Sequence, residues 1–299
     1  MSGAEIETLL LVSSRWVAYA PTFLILGVPG ACLVRAWSSA SASPDRERAL
    51  DRRVVMVGLW SARVAVLMLG WRLFAQTYSN FGLEEPVTWH LAGVVLTKTM
   101  WGDHLIDQAW TLAAVMAGFE IARRLVWLRW IVGPAAAVAL AMVTPLTSHA
   151  ANHGAALWRL HVVHLIGAGL WIGTLGVFAL TGFERWLPRL RTYSPIAIVG
   201  LSLALASGAA MTWRHIQPWP EAWSTPFGKA LAAKIAAVVL TMAWGAVNWR
   251  MLRPRVDRAP DDERARRTLR RGAWVEVLIG FLVVVGLTSI LTGLAMPTH

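Results

Sequence analysis

The sequence predicts an all-α polytopic membrane bundle with eight spanning helices. Three observations carry that expectation. Of 299 residues, 56% are hydrophobic and only 15% charged, with a mean hydropathy of +0.51, the balance of a membrane protein rather than a soluble domain. Apolar runs recur eight times, each long enough to cross a hydrocarbon core of ~30 Å. The chain also carries 18 Trp against 3 Tyr, and Trp concentrates at bilayer interfaces.

In chain order the expected spans are 8–36, 54–78, 103–125, 129–148, 155–182, 193–216, 228–252 and 272–295, all within one transmembrane domain, 1–299. The segment 79–102 is too polar and broken to cross. Its stretch 86–100 reads as a helix lying in the interface on the outer face. Arginine sets the orientation. Twenty of the 28 basic residues fall in the four loops after spans one, three, five and seven, so those loops are expected in the cytoplasm and both termini outside. The loops 35–53 and 253–271 mix Arg with Asp and Glu and read as solvated connections.

The net charge of +11 is therefore a statement about topology, and no nucleic-acid partner is expected. The single cysteine, Cys32, excludes an intrachain disulfide and a cysteine-based zinc site. The N-terminus bears Glu5 and Glu7 without a basic stretch, unlike a cleaved signal peptide. No pattern of catalytic residues stands out, and the chain is expected not to be an enzyme.

A faint internal repeat is visible. Trp71-Arg72 closes span two as Trp213-Arg214 closes span six. Thr99 and Gly102 precede span three as Thr225 and Gly228 precede span seven. Matched spans run in the same direction, so this is a parallel four-plus-four duplication, with halves 1–148 and 149–299.

The stretch from Thr144 to Gly173 holds four of the eight histidines, His149, His153, His161 and His164. It reads as a membrane hairpin with histidines at its mouth. With the arginine-based topology every histidine falls in the outer half. Histidine is the commonest side-chain metal ligand, and ionisable groups inside a bilayer point to function. His161 and His164 are three apart and share a helix face. They lie ~9–14 Å below the start of span five, at 1.5 Å per residue. His149 and His153 could cap the same site, while Met211 and His215 share a face of span six. Imidazole with thioether and no thiolate suits copper, with Met favouring Cu(I). Asp103, His104 and Asp107 open span three. They could form an alternative metal site, orient a ligand imidazole, or cap a helix near water.

Arg15, Arg63, Arg159 and Lys234 lie within spans. Arg15 and Arg159 are near outer ends, from which they can snorkel. Lys234 and Arg63 are deeper and need partners or water. Lys234, Glu276 and Asn248 are read as members of an intramembrane ion pair or a gate; Arg250 and Lys234 are the cations offered to Glu276, Lys234 lying far outward of it.

Taken together, these motifs resemble the copper resistance protein D (CopD) family. The residues that carry the resemblance are the loop Ser148-His149-Ala150-Ala151-Asn152-His153-Gly154, His161 and His164 with Trp171 and Gly173, and Ser207-Gly208. Beyond them come Thr225-Pro226-Phe227-Gly228-Lys229 with Lys234, Asn248 and Arg250, and Glu276. The resemblance is clearest over 144–297. It implies an eight-helix protein of the bacterial inner (cytoplasmic) membrane, active in copper homeostasis and moving copper from periplasm to cytoplasm. It also implies a periplasmic copper-binding CopC-like partner, here a separate chain. Two alternatives stand beside a copper permease. One is a membrane redox protein holding haem b between histidines of neighbouring helices. The other is an assembly factor that hands copper to a partner and transports nothing.

Overall fold

The structure, a computed structural model, describes residues 2–39, 43–147, 154–215, 224–258 and 262–293. Among these the regular structure is helical, with no strand, and eight segments are long and apolar enough to cross a membrane. The expected all-α, eight-span architecture is therefore present.

Helix α1 (Gly3–Trp37) opens on a capping box: Ser2 Oγ accepts from Glu5 N, and the Glu5 carboxylate accepts from Ser2 N at 2.7 Å. Its second half is buried on all sides, at Ile25, Leu26, Val28, Ala31 and Val34. A helix apolar around its whole girth belongs in the middle of a bundle. Helix α1 accordingly touches α2 (Pro44–Phe81), α5 (Arg129–Val143), α6 (Ala155–Ala168), α7 (Thr174–Thr181), α8 (Leu190–His215) and α12 (Val285–Gly293). Lipid offers no hydrophobic drive for helix association, so close backbone approach through small residues supplies it. Gly27 lies on the backbone of Gly173 with no room for a Cβ. Thr174 Oγ1 donates to Gly27 O at 3.2 Å across this contact.

The remaining elements are α3 (Trp89–Lys98), α4 (Met100–Arg124), α9 (Pro226–Val247), α10 (Arg253–Arg258) and α11 (Glu263–Leu278). The short α3 falls within the stretch 86–100 expected to be helical. It is capped by Thr88 and buries Ala92 and Val95, while Trp89 is almost fully exposed. Thr99 ends α3 and caps α4, its Oγ1 accepting from Gly102 N at 3.0 Å. Thr225 caps α9 through Gly228 N, also at 3.0 Å. The matched threonines thus behave alike. The matched arginines do not, because Arg72 is buried and Arg214 exposed.

Two expectations about the ends are corrected. Helix α2 starts at Pro44, ten residues before the expected span, so the part 44–53 of the segment read as a solvated loop is helical. Its acids Glu47 and Asp51 are buried. Glu47 pairs with Arg35 of α1 and with Arg189, just before α8, and Asp51 Oδ2 meets Arg129 Nη2 of α5 at 3.0 Å. Arg15 does not snorkel either: it lines an internal cavity.

Three π-helical segments interrupt the last spans: Gly169–Gly173, Asn248–Leu252 and Ile279–Val284. Single π turns inside α-helices gather at functional sites, and among these described segments the first two contribute Trp171, Asn248 and Trp249 to the lining of one cavity.

Candidate metal pathway

Helices α6 and α8 run antiparallel and touch through glycine, a Cβ on Gly167 falling 2.6 Å from Gly200 O. The same register brings His164 against Ala204, Ser207 and Gly208. His164 Nδ1 bonds Ala204 O at 2.8 Å, with Ser207 Oγ at 3.4 Å. A Cβ added to Gly208 would sit 3.3 Å from the imidazole. One turn nearer the helix start, His161 Nδ1 bonds Leu157 O at 3.2 Å. A carbonyl only accepts, so Nδ1 carries the proton in each neutral ring and the lone pair is on Nε2. This is how metal-binding imidazoles are commonly held, one nitrogen on a carbonyl and the other presented. Both rings are half-buried.

Continuing that register outward sets Met211 of α8 near the level of His161, on the α8 face that carries Ala204 and Ser207. His215 ends α8 one turn further; its side chain, like His149 and His153, lies outside the described residues. Among the described residues no three His, Cys, Asp or Glu side chains converge as a metal set. The alternative site at Asp103, His104 and Asp107 is therefore not assembled. His104 Nδ1 faces Asp107 Oδ2 at 3.8 Å on its own helix, and it orients neither ligand imidazole, because both Nδ1 atoms are taken by carbonyls.

Lys234 of α9 is near enough for its charge to act on both imidazoles. The expected pairing of Lys234 with Glu276 is not made. Glu276 accepts from Asn248 Nδ2 at 3.2 Å and lies beside Gly245. These are eleven and fourteen residues beyond Lys234, roughly 17–21 Å along the helix. Arg250 does not replace Asn248 as this partner. Among the described residues Lys234 has no ion pair, and Glu276 is held by an amide rather than a cation.

At the Glu276 end, between α8 and α9, lies a cavity of about 270 Å³ that reaches outward as far as Met242 and Leu201, with Lys234, His161 and His164 outside its lining. Its wall is mostly apolar, with Trp171, Tyr193, Met242, Asn248, Arg253 and Glu276 among its lining residues. Tyr193 Oη donates to Trp171 O at 2.8 Å, and Trp244 Nε1 donates to Gly272 O at 2.9 Å, tying α8 to the first π segment and α9 to α11. Trp171 and Asn248 belong to two of the π segments, and Glu276 lies three residues before the third. Trp171 follows His164 by seven residues, two turns down the same face. The histidine pair thus stands at one end of a column and the Glu276–Asn248 pair at the other, where the arginine-rich loops lie.

Sequence spacing alone found the histidine pair, Lys234, Asn248 and Glu276. Met242 is one of several soft-ligand candidates of the inner half, with Cys32, Met56, Met116 and Met251; the sequence assigns no role to Tyr193 or to the carbonyl of Ala204, since a backbone acceptor has no residue type to mark it.

A family model described as copper resistance protein D (CopD) matches residues 187–291, about a third of the chain. The matched region runs from just before α8 into α12, and so contains Lys234, Asn248 and Glu276 and the α8 surface on which His164 packs. It supports the CopD assignment made from the motifs. Comparison with curated proteins and with solved structures returns no match.

Proposed function

We propose that this chain, with its CopD-family region at 187–291, is a copper-conducting protein of the bacterial inner membrane that serves copper homeostasis and resistance. Copper is its cargo, and it catalyses no reaction. The observation that carries this reading is the pair His161 and His164, each with Nδ1 fixed to a main-chain carbonyl and Nε2 left to bind. Copper(I) accepts few ligands and favours imidazole with thioether, so two imidazoles, with Met211 as a third donor, suffice without a thiolate. His149, His153 and His215 serve capture at the mouth.

The ion then passes between α8 and α9, beside Met242, towards Glu276 and Asn248. Lys234 lies near the entry and weakens the hold on the bound cation, which favours its release into the pathway. The arginine distribution supports placing the histidines outside, hence passage from periplasm to cytoplasm, with a separate CopC-like protein delivering the metal.

The test is copper uptake into proteoliposomes. The His161→Ala/His164→Ala variant, with unchanged helical content, is expected to lose uptake and most bound copper. Full retention of both would overturn the site. A Soret band in the purified protein that disappears in this variant would establish the haem alternative instead. Copper binding without uptake by the wild type would make the chain a handover factor.

A further inference from the structure

A second buried polar centre lies away from the copper pathway, among α1, α2, α4 and α5. Arg72, 9% exposed, donates to Gln108 Oε1 at 2.6 Å and to Thr147 Oγ1 at 2.8 Å. Arg15 lines the same small cavity as Arg72, and its Nη1 is buried without a hydrogen-bond partner. Thr144 Oγ1, also buried, has none either. All of these, with Tyr19, line one small cavity. None of its described lining residues is a carboxylate, and the partners of Arg72 are neutral. Two guanidiniums held together in a low-dielectric interior with only neutral neighbours are strongly unfavourable unless an anion joins them.

We propose that this cavity is a chloride site. Its volume of about 10 Å³ for the centre of a water-sized sphere is the space of one such particle. That leaves no room for a phosphate or a carboxylate, whereas a chloride ion, only slightly larger than water, needs no more than a small outward shift of the lining side chains. The free Arg15 Nη1 and the Thr144 hydroxyl supply donors already aimed inward, and Arg72 supplies charge while its own hydrogen bonds stay in place. Thr144 and Thr147 end the α5 span just before the histidine loop, so the bound anion fixes the point from which that loop departs.

The experiment is thermal unfolding of the purified full chain in detergent, with sodium gluconate exchanged for sodium chloride at constant ionic strength. Gluconate is too large for the cavity. In the wild type, chloride is expected to raise Tm in a saturable way, by roughly 2–4 °C. Bromide should act like chloride. Arg15→Gln should abolish the response, and Thr144→Val should shift its midpoint several-fold towards higher chloride. Equal Tm in chloride and gluconate overturns the proposal, as does an undiminished response in Arg15→Gln. If that variant does not fold, an unchanged midpoint in Thr144→Val overturns it on its own. Stabilisation by sulfate, or by anionic lipid in chloride-free buffer, equal to that by chloride would assign the arginines to a phosphate-like group at the surface and also end the proposal.

Discussion

The buried charges at the arginine-rich end of the bundle and those along the α8–α9 column are handled in opposite ways. At the arginine end, Glu47 and Asp51 of α2 are bracketed by Arg35, Arg129 and Arg189, one guanidinium from each of three other parts of the chain. In the column, Lys234 has no ion pair among the described residues, and Glu276 has an amide partner, a cavity beside it and π turns on either hand. The first arrangement knits four spans together. The second leaves charge available, at the cost of a helix, α9, that packs mainly along α11 and α12 and has the least buried span of the eight. A membrane bundle can thus separate the charges that assemble it from those a passing ion meets.

The largest expected effect tests the assembling set. Glu47→Ala leaves Arg35 and Arg189 facing each other where both are mostly shielded from solvent. Removing one partner of a buried ion pair costs about 3–5 kcal/mol, and the loss should appear as a much lower unfolding temperature in detergent. A loss below about 1 kcal/mol would place this cluster with ordinary surface pairs and erase the contrast. Glu276→Gln should do the reverse. Glutamine keeps an oxygen that accepts from Asn248, so stability is expected to change by less than about 1.5 kcal/mol, the net worth of one such hydrogen bond. Copper uptake should nonetheless fall at least tenfold, because the neutral side chain cannot balance a cation. Unchanged uptake with intact folding would remove Glu276 from the route.

How much of this was legible beforehand follows from which forces leave a trace in residue type. The spans were legible because hydropathy and length are read directly from the chain, and α3 because its apolar pattern is too short to cross. The π segments were not: nothing in Gly169–Gly173 or Ile279–Val284 distinguishes a π turn from ordinary helix. Glu47 and Asp51 sat in a run of mixed charge that looks the same whether solvated or locked against three arginines. Their partners are up to 142 residues away, and only the helix packing brings them together. In the candidate site, the three-residue spacing put His161 and His164 on one face, as found. That Lys234 lies too far outward for Glu276 was legible from spacing along α9; that Asn248 rather than Arg250 takes the carboxylate depends on where α9 and α11 cross, which spacing along one helix cannot give.

The smallest expected effect on stability is at Lys234. A truncation that breaks a buried ion pair is destabilising, but Lys234 has no such pair to break, so that cost does not apply. An ammonium group towards the middle of a span is itself unfavourable, by about 2.5–3.5 kcal/mol on insertion scales before snorkelling and hydration relieve it. Lys234→Met keeps the length of the side chain and removes the charge. It is therefore expected to leave stability unchanged or raise it by up to about 1 kcal/mol. The charge acts on both imidazoles, and a nearby cation opposes binding of another, so copper affinity at His161 and His164 should rise, roughly two- to tenfold. Tighter binding at the entry slows release into the column, and uptake at saturating copper should fall even as affinity increases. Isothermal titration and proteoliposome flux on the same preparation separate these quantities. Lower stability together with weaker copper binding would mean that Lys234 is a structural partner after all, and the division between assembling and conducting charges would then fail at the residue on which it most depends.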